Sequence, residues 1–178
     1  MNRYWILPVS AFLILAIVAV AQDPSNSAEE EWLTRQWQRN RGLIEALVQN
    51  GLALAGEKDP IERAKSCKDL ADRFAEEIQE AAEDHEAGRA LELSGHFHAL
   101  IKRGIAGNLR SIEKPNPFST LDMEMRRVGE QVKELTEPME KKLKGMAPND
   151  GGDLWRVLQT VRDARNEVEI AIEKQSGR

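Results

Sequence analysis

Cysteine is nearly missing from this chain: Cys67 is the single one in 178 residues. An internal disulfide framework and a multi-cysteine zinc site are both excluded by that count. Aromatic residues make up only 5%, and the one tyrosine, Tyr4, lies in the first apolar segment. Positive charge is not in excess either. The 25 basic and 30 acidic side chains give a net charge of −5, which argues against a nucleic-acid partner. No run of alternating apolar and polar residues is long enough for a strand. A Gly-x-Ser-x-Gly elbow, a phosphate-binding glycine loop and a local cysteine–histidine pair are likewise missing. The expectation is a protein that is not an enzyme, with no catalytic, cofactor-binding or metal-binding residues.

What the chain does have is 41% hydrophobic and 31% charged residues, enough for a core where the apolar positions are patterned. The first pattern is an address. Arg3 precedes the apolar run Ile6 to Val20, and Ala19-Val20-Ala21 before Gln22 has the form of an A-x-A cleavage site. Residues 1–21 are therefore expected to be a signal peptide, and the remainder exported, to the periplasm or beyond the cell. The alternative is a retained anchor over residues 4–21, short for a spanning helix and interrupted by Pro8. Only that alternative would bring membrane contact. Cleavage removes Arg3 alone among charged residues, leaving 24 basic against 30 acidic.

The rest reads as helices. Ser27 and Glu30 form a capping box, and a first helix is expected from about Ala28 to about Gly56. Leu33, Trp37, Asn40, Ile44, Leu47, Gly51 and Leu54 alternate spacings of four and three, a heptad seam that also allows a homo-oligomer. Trp37 is expected in the core by that seam, whereas Trp32, among Arg35, Arg39 and Arg41, suits a partner helix or a membrane surface. Asp59-Pro60 opens a second helix, with the stripe Ile61, Ala64, Cys67, Leu70, Phe74, Ile78 and Ala81. After a break at Asp84 to Gly88 a third helix carries Ala90, Leu93, Phe97, Ile101, Ile105, Leu109 and Ile112. Gly95, Gly104 and Gly107 weaken it by roughly 1 kcal/mol each, for which close helix packing is the expected reason.

Lys114-Pro115-Asn116-Pro117-Phe118 cannot continue a helix. Ser119 or Thr120 then caps a fourth helix whose stripe runs from Leu121 to Met146, with Pro138 expected to kink it or end it near Glu137. Pro148 to Gly152 makes a turn, and a fifth helix starts at Asp153. The expected fold is all-α: a three-helix segment over 22–113, a proline linker over 114–118 and a helical hairpin over 119–178.

Chemistry is sparse. His96 and His98 are two apart, on nearly opposite helix faces. His85-Glu86-Ala87-Gly88-Arg89 has arginine where a zincin motif needs its second ligand. Ser111-Ile112-Glu113-Lys114 matches a bare Ser-x-x-Lys without companion motifs. Cys67 sits on an apolar stripe, as a small buried hydrophobe would. Charge is more informative. Asp59 to Glu86 holds ten acidic and four basic residues. Within it Glu76, Glu77, Glu80, Glu83, Asp84 and Glu86 have no basic neighbour in their run, giving a solvated face or a surface for a basic partner or a cation.

Asp59-Pro60, Arg63-Ala64, Leu70-Ala71, Ala75-Glu76-Glu77-Ile78, Ala81-Ala82, Arg89-Ala90, Glu92-Leu93 and Gly104-Ile105-Ala106-Gly107-Asn108-Leu109 resemble a recurring pattern in uncharacterised exported helical proteins of bacteria. Some of those sit beside envelope-signalling systems with extracytoplasmic-function sigma factors, so the resemblance implies a stress or sensing context. The Leu-Thr-x-x-Gln repeat of periplasmic stress chaperones is not matched: Leu33-Thr34 leads to Trp37 and Leu135-Thr136 to Met139. The function expected is an exported helical interaction or regulatory protein of the cell envelope with a protein partner. The alternative is a periplasmic chaperone or a weak cation-binding stress sensor using the acidic second helix.

Overall fold

A computed structural model describes residues 24–147 and 151–176. The expected signal segment, the expected cleavage site at Ala21 and residues 148–150 of the expected turn lie outside the described residues. The described chain is all-α, with five helices and no strand among the described residues. Helix α1 spans Pro24–Gly56 and α2 Pro60–Glu83. Helix α3 is built from Ala87–Ala99, a π-helical stretch Leu100–Ile105 and Ala106–Arg110. Helix α4 spans Thr120–Met146 and α5 Asp153–Ser176. No helix of the described residues is long and apolar enough to cross a membrane.

Two compact units divide the chain, one ending at Gly42 and one from Leu43 onward. The first contributes the early turns of α1. Ser27 lies within the helical backbone of these turns, which are already helical at Pro24, so the helix does not begin at Ala28 as expected. Leu33 and Trp37 are exposed here, Trp37 by 62%. Its ring lies under the Arg41 guanidinium at 5.6 Å, a contact worth about 0.5–1 kcal/mol at an exposed site. Trp37 is therefore not a core residue.

The second unit holds one core made by α2, α3, α4 and α5, so the helices before and after the 114–118 connection are packed together. Asp59 accepts from the Ile61 backbone N–H at 2.8 Å, and Pro60 follows it, which starts α2 where the sequence indicates. Every residue of the expected α2 and α3 stripes is buried. On α4 the pattern holds from Met125 to Leu143, while Leu121 at its start is exposed. Pro138 does not end α4, which continues to Met146. The buried Thr136 hydroxyl donates to the Val132 carbonyl at 2.9 Å, a local bond that keeps its polar atom satisfied.

The seam of α1 is where the structure departs most from the sequence pattern. Within the second unit, Leu43, Ala46 and Leu54 pack on the core. Ile44, Leu47, Val48 and Leu52 face solvent. Two apolar rows share these turns, and only one can meet the core. Leu54 is common to both, and the row that includes the small Ala46 is the one that lies against the body. The attachment at this end is polar. Arg63 of α2 donates to the Leu54 and Glu57 carbonyls at 3.3 and 3.2 Å and to Asn108 Oδ1 at 3.1 Å. One guanidinium therefore closes the C-terminus of α1, where orphan carbonyls collect, and ties it to α3. Arg63→Ala should cost about 1–3 kcal/mol, the range for charge-assisted bonds, and should speed amide exchange over residues 43–56 more than in α4, as hydrogen-exchange mass spectrometry can measure.

Candidate interaction surface

The π-helical stretch of α3 follows from its apolar spacing. Leu93, Phe97, Ile101, Ile105 and Leu109 recur every four residues and all are buried. In an α-helix each such step overshoots a full turn by about 40°, so four steps would carry the stripe about 160° around the axis. Wider turns reduce that drift, and the Ala106 N–H bonds the Ile101 carbonyl five residues back. The sequence carried the signal in its 4-4-4-4 spacing, which the reading as an ordinary stripe passed over.

Several side chains converge on this stretch. A Cβ added to Gly104 would lie 2.7 Å from Cys67 Sγ. Close packing thus accounts for Gly104, but not for Gly95, whose added Cβ would meet nothing within 4 Å, nor for Gly107, with an ordinary 3.6 Å contact. The Asn108 side-chain amide donates to the Gly104 carbonyl while its oxygen accepts from Arg63. Cys67 is 3% exposed. Burial pushes its thiol above the ordinary value, against the opposing charge of Arg63, so little reactive thiolate forms at neutral pH.

On the far side of α3, Glu167 of α5 joins Lys102 at 2.7 Å and Arg110 at 2.5 Å. The Lys102 bond and then the Arg110 bond lower the Glu167 carboxyl to about 2. Gln175 also donates to the Arg110 carbonyl at 2.8 Å. These long-range partners join residues 57 and 65 positions apart, a separation that no local motif in the sequence signals.

The six acidic residues singled out in sequence are placed at the end of α2 and in the turn after it. Glu76 pairs with Arg73 at 3.1 Å, Glu77 with Arg89 at 3.2 Å and Glu83 with Lys142 at 2.5 Å. Glu86 also lies 4.0 Å from Arg89, and Glu80 and Asp84 are exposed. Cations from before the run, from α3 and from α4 thus reach into a sequence segment that contains none. Among the described residues no three His, Cys, Asp or Glu side chains group to hold a metal ion. His85 is exposed in the turn with φ 64°, and His96 is exposed beside the Phe74 ring, 6.3 Å between centroids. Ser111 donates to the Asn108 carbonyl at 2.7 Å and Lys114 is exposed. Trp32, Arg35 and Arg39 have side chains outside the described ones.

Large apolar groups remain on the surface. In the second unit Ile44, Leu47, Val48 and Leu52 share a run of α1, while Phe118, Leu121 and Met123 stand at the start of α4, Phe118 by 90% and with φ 65°. Asp122 beneath them is buried and accepts from the Phe118 N–H at 3.2 Å and from Arg126 Nε at 3.1 Å. Of the two patches, the α1 run is longer and lies on regular helix.

Two outcomes follow from this geometry. Gly104→Ala should lower stability by about 1–3 kcal/mol, the usual cost of overpacking, and Cys67→Ala in the same chain should recover part of it; urea unfolding of the native chain and the two variants measures both. The carboxyl of Glu167 is depressed in the fold from its ordinary 4.5 to about 2. Its stabilising contribution is therefore full above about pH 5 and lost as pH falls toward about 2. The stability gap between the native chain and Glu167→Gln, measured by urea unfolding from pH 6 down to pH 2.5, should accordingly shrink on acidification.

No family model, curated protein or solved structure matches the chain. Its geometry and its sequence are what any functional reading must rest on.

Proposed function

We propose that this chain is a non-enzymatic, exported helical interaction or regulatory protein of the cell envelope, and that α1 is its docking element. The observation that carries the reading is the apolar run Ile44, Leu47, Val48 and Leu52, left in solvent although the helix bearing it is anchored by Leu43, Ala46, Leu54 and Arg63. Regular helix held at one face and apolar on another is the form in which helices are recognised by partners. The signal-like segment ending in Ala19-Val20-Ala21 supports export. The paired state of Glu76, Glu77 and Glu83 leaves the acidic end of α2 less suited to a cation than its sequence suggests.

Two measurements test this together. Mass spectrometry of protein recovered from the envelope fraction should find Gln22 as the first residue. A full-length chain confined to the cytosol would overturn the export half. Photo-crosslinking residues placed at Val48 and Leu52 should give discrete adducts in cells, whereas one at the exposed Glu134 of α4 should give few. Equal crosslinking at all three positions would overturn α1 as the docking element. A smear of many client masses, with suppression of aggregation of a model client, would favour the chaperone reading instead.

A further inference from the structure

The docking reading leaves open what covers α1, and three features of residues 43–56 bear on it. Ile44, Leu47, Val48 and Leu52 are 57, 42, 56 and 73% exposed. Gly51 lies among them on regular helix, and a Cβ there would meet nothing within 4 Å. A glycine in a helix interior weakens the helix, yet the chain's own packing makes no use of this one. Ala55, one turn later, is also exposed. Gly51 and Ala55 together form a low place on the surface where a second helix backbone can come close, flanked by the larger apolar side chains.

Charge narrows the occupant. Between Leu43 and Gly56 the only ionisable side chain is Glu45, so an acidic or basic helix would find almost no counter-charge there. A fitting partner is itself an uncharged apolar helix face with a low centre. This chain carries such a face. On the basis of the docking role proposed above, we infer that the occupant is a second copy of the chain, the two α1 helices crossing at Gly51 about a twofold axis. Isologous pairing of this kind closes on itself. The four side chains expose on the order of 400 Å² per copy, or about 800 Å² for the pair, below the standard size for a stable complex. A pairing of that size is of the transient kind, a reversible monomer–dimer equilibrium and not a permanent dimer.

Sedimentation of the purified protein between 1 and 500 µM tests this. A monomer–dimer equilibrium is expected, weakened at least tenfold by Ile44→Glu and by Leu52→Glu. Gly51→Leu separates pairing from folding. It should raise the Tm of the dilute protein, because helix propensity improves, while abolishing the dimer by blocking close approach. Phe118→Ser should leave dimerisation unchanged. Because Cys67 is buried, a cysteine introduced at Val48 is the accessible thiol, and mild oxidation should link it to its copy far faster than one at Glu134. A monomer at every concentration, a Gly51→Leu protein that pairs like the native one, or open-ended polymers lost on Phe118→Ser would each overturn the dimer. If discrete crosslinks from Val48 to other envelope proteins persist while the protein is monomeric, self-pairing fails and the docking role stands. If neither is found, both fail.

Discussion

The four-residue spacing of Leu93, Phe97, Ile101, Ile105 and Leu109 is the constraint on which much of this fold depends. An unbroken α-helix would turn half of that stripe away from the core, so α3 takes up a π-helical stretch at Leu100–Ile105. The contacts around it follow from where that stretch leaves its neighbours. Gly104 comes against Cys67, and Asn108 faces Arg63, while Lys102 and Arg110 reach Glu167. Gly104, Asn108, Lys102 and Arg110 thereby add to the packing that joins α3 to α2 on one side and to α5 on the other.

Arg63 carries the linkage one step further. Its side chain joins Asn108 of α3 to the Leu54 and Glu57 carbonyls that end α1. The attachment of α1 in the second unit thus has a polar clasp at its end and only a thin apolar contact through Leu43, Ala46 and Leu54. Wider apolar burial would have used Ile44 and Leu47 as well. The clasp holds the end of the helix, and Ile44, Leu47, Val48 and Leu52 stay outside. Asp59-Pro60, Arg63 and Gly104 to Asn108, scattered in the sequence, meet around this one joint.

Legibility in the sequence tracked how local each determinant is. Asp59 before Pro60 fixes the start of α2 through a bond two residues long, and the stripes of α2 and α3 are set by periodicity; both were plain. The side on which α1 packs was not, because Leu43/Ala46/Leu54 and Ile44/Leu47 are both apolar rows and no local motif distinguishes them. The pairing of Glu83 with Lys142 and of Glu77 with Arg89 was hidden for a similar reason: a charge run looks unopposed when its partners are on other helices. Of the two outcomes expected at Pro138, an end of the helix is not what occurs: α4 runs on to Met146, its packing on α5 and α2 outweighing the lost backbone bond.

The charge arrangement also bears on how an apolar face can be kept on a chain with 31% charged residues. Most ion pairs here join exposed or half-exposed groups, and such pairs add little stability each. Their physical effect is to bind cations and carboxylates to one another across α2, α3, α4 and α5. The stretch of α1 from Leu43 to Gly56 carries Glu45 alone, and Pro115 to Leu121 carries no charge. A mixed-sign surface discourages nonspecific contact everywhere except where charge is missing. At its C-terminal end α1 is held to the body by the Arg63 bonds to the Leu54 and Glu57 carbonyls and by the apolar contacts of Leu43, Ala46 and Leu54, with Ile44, Leu47, Val48 and Leu52 left in solvent.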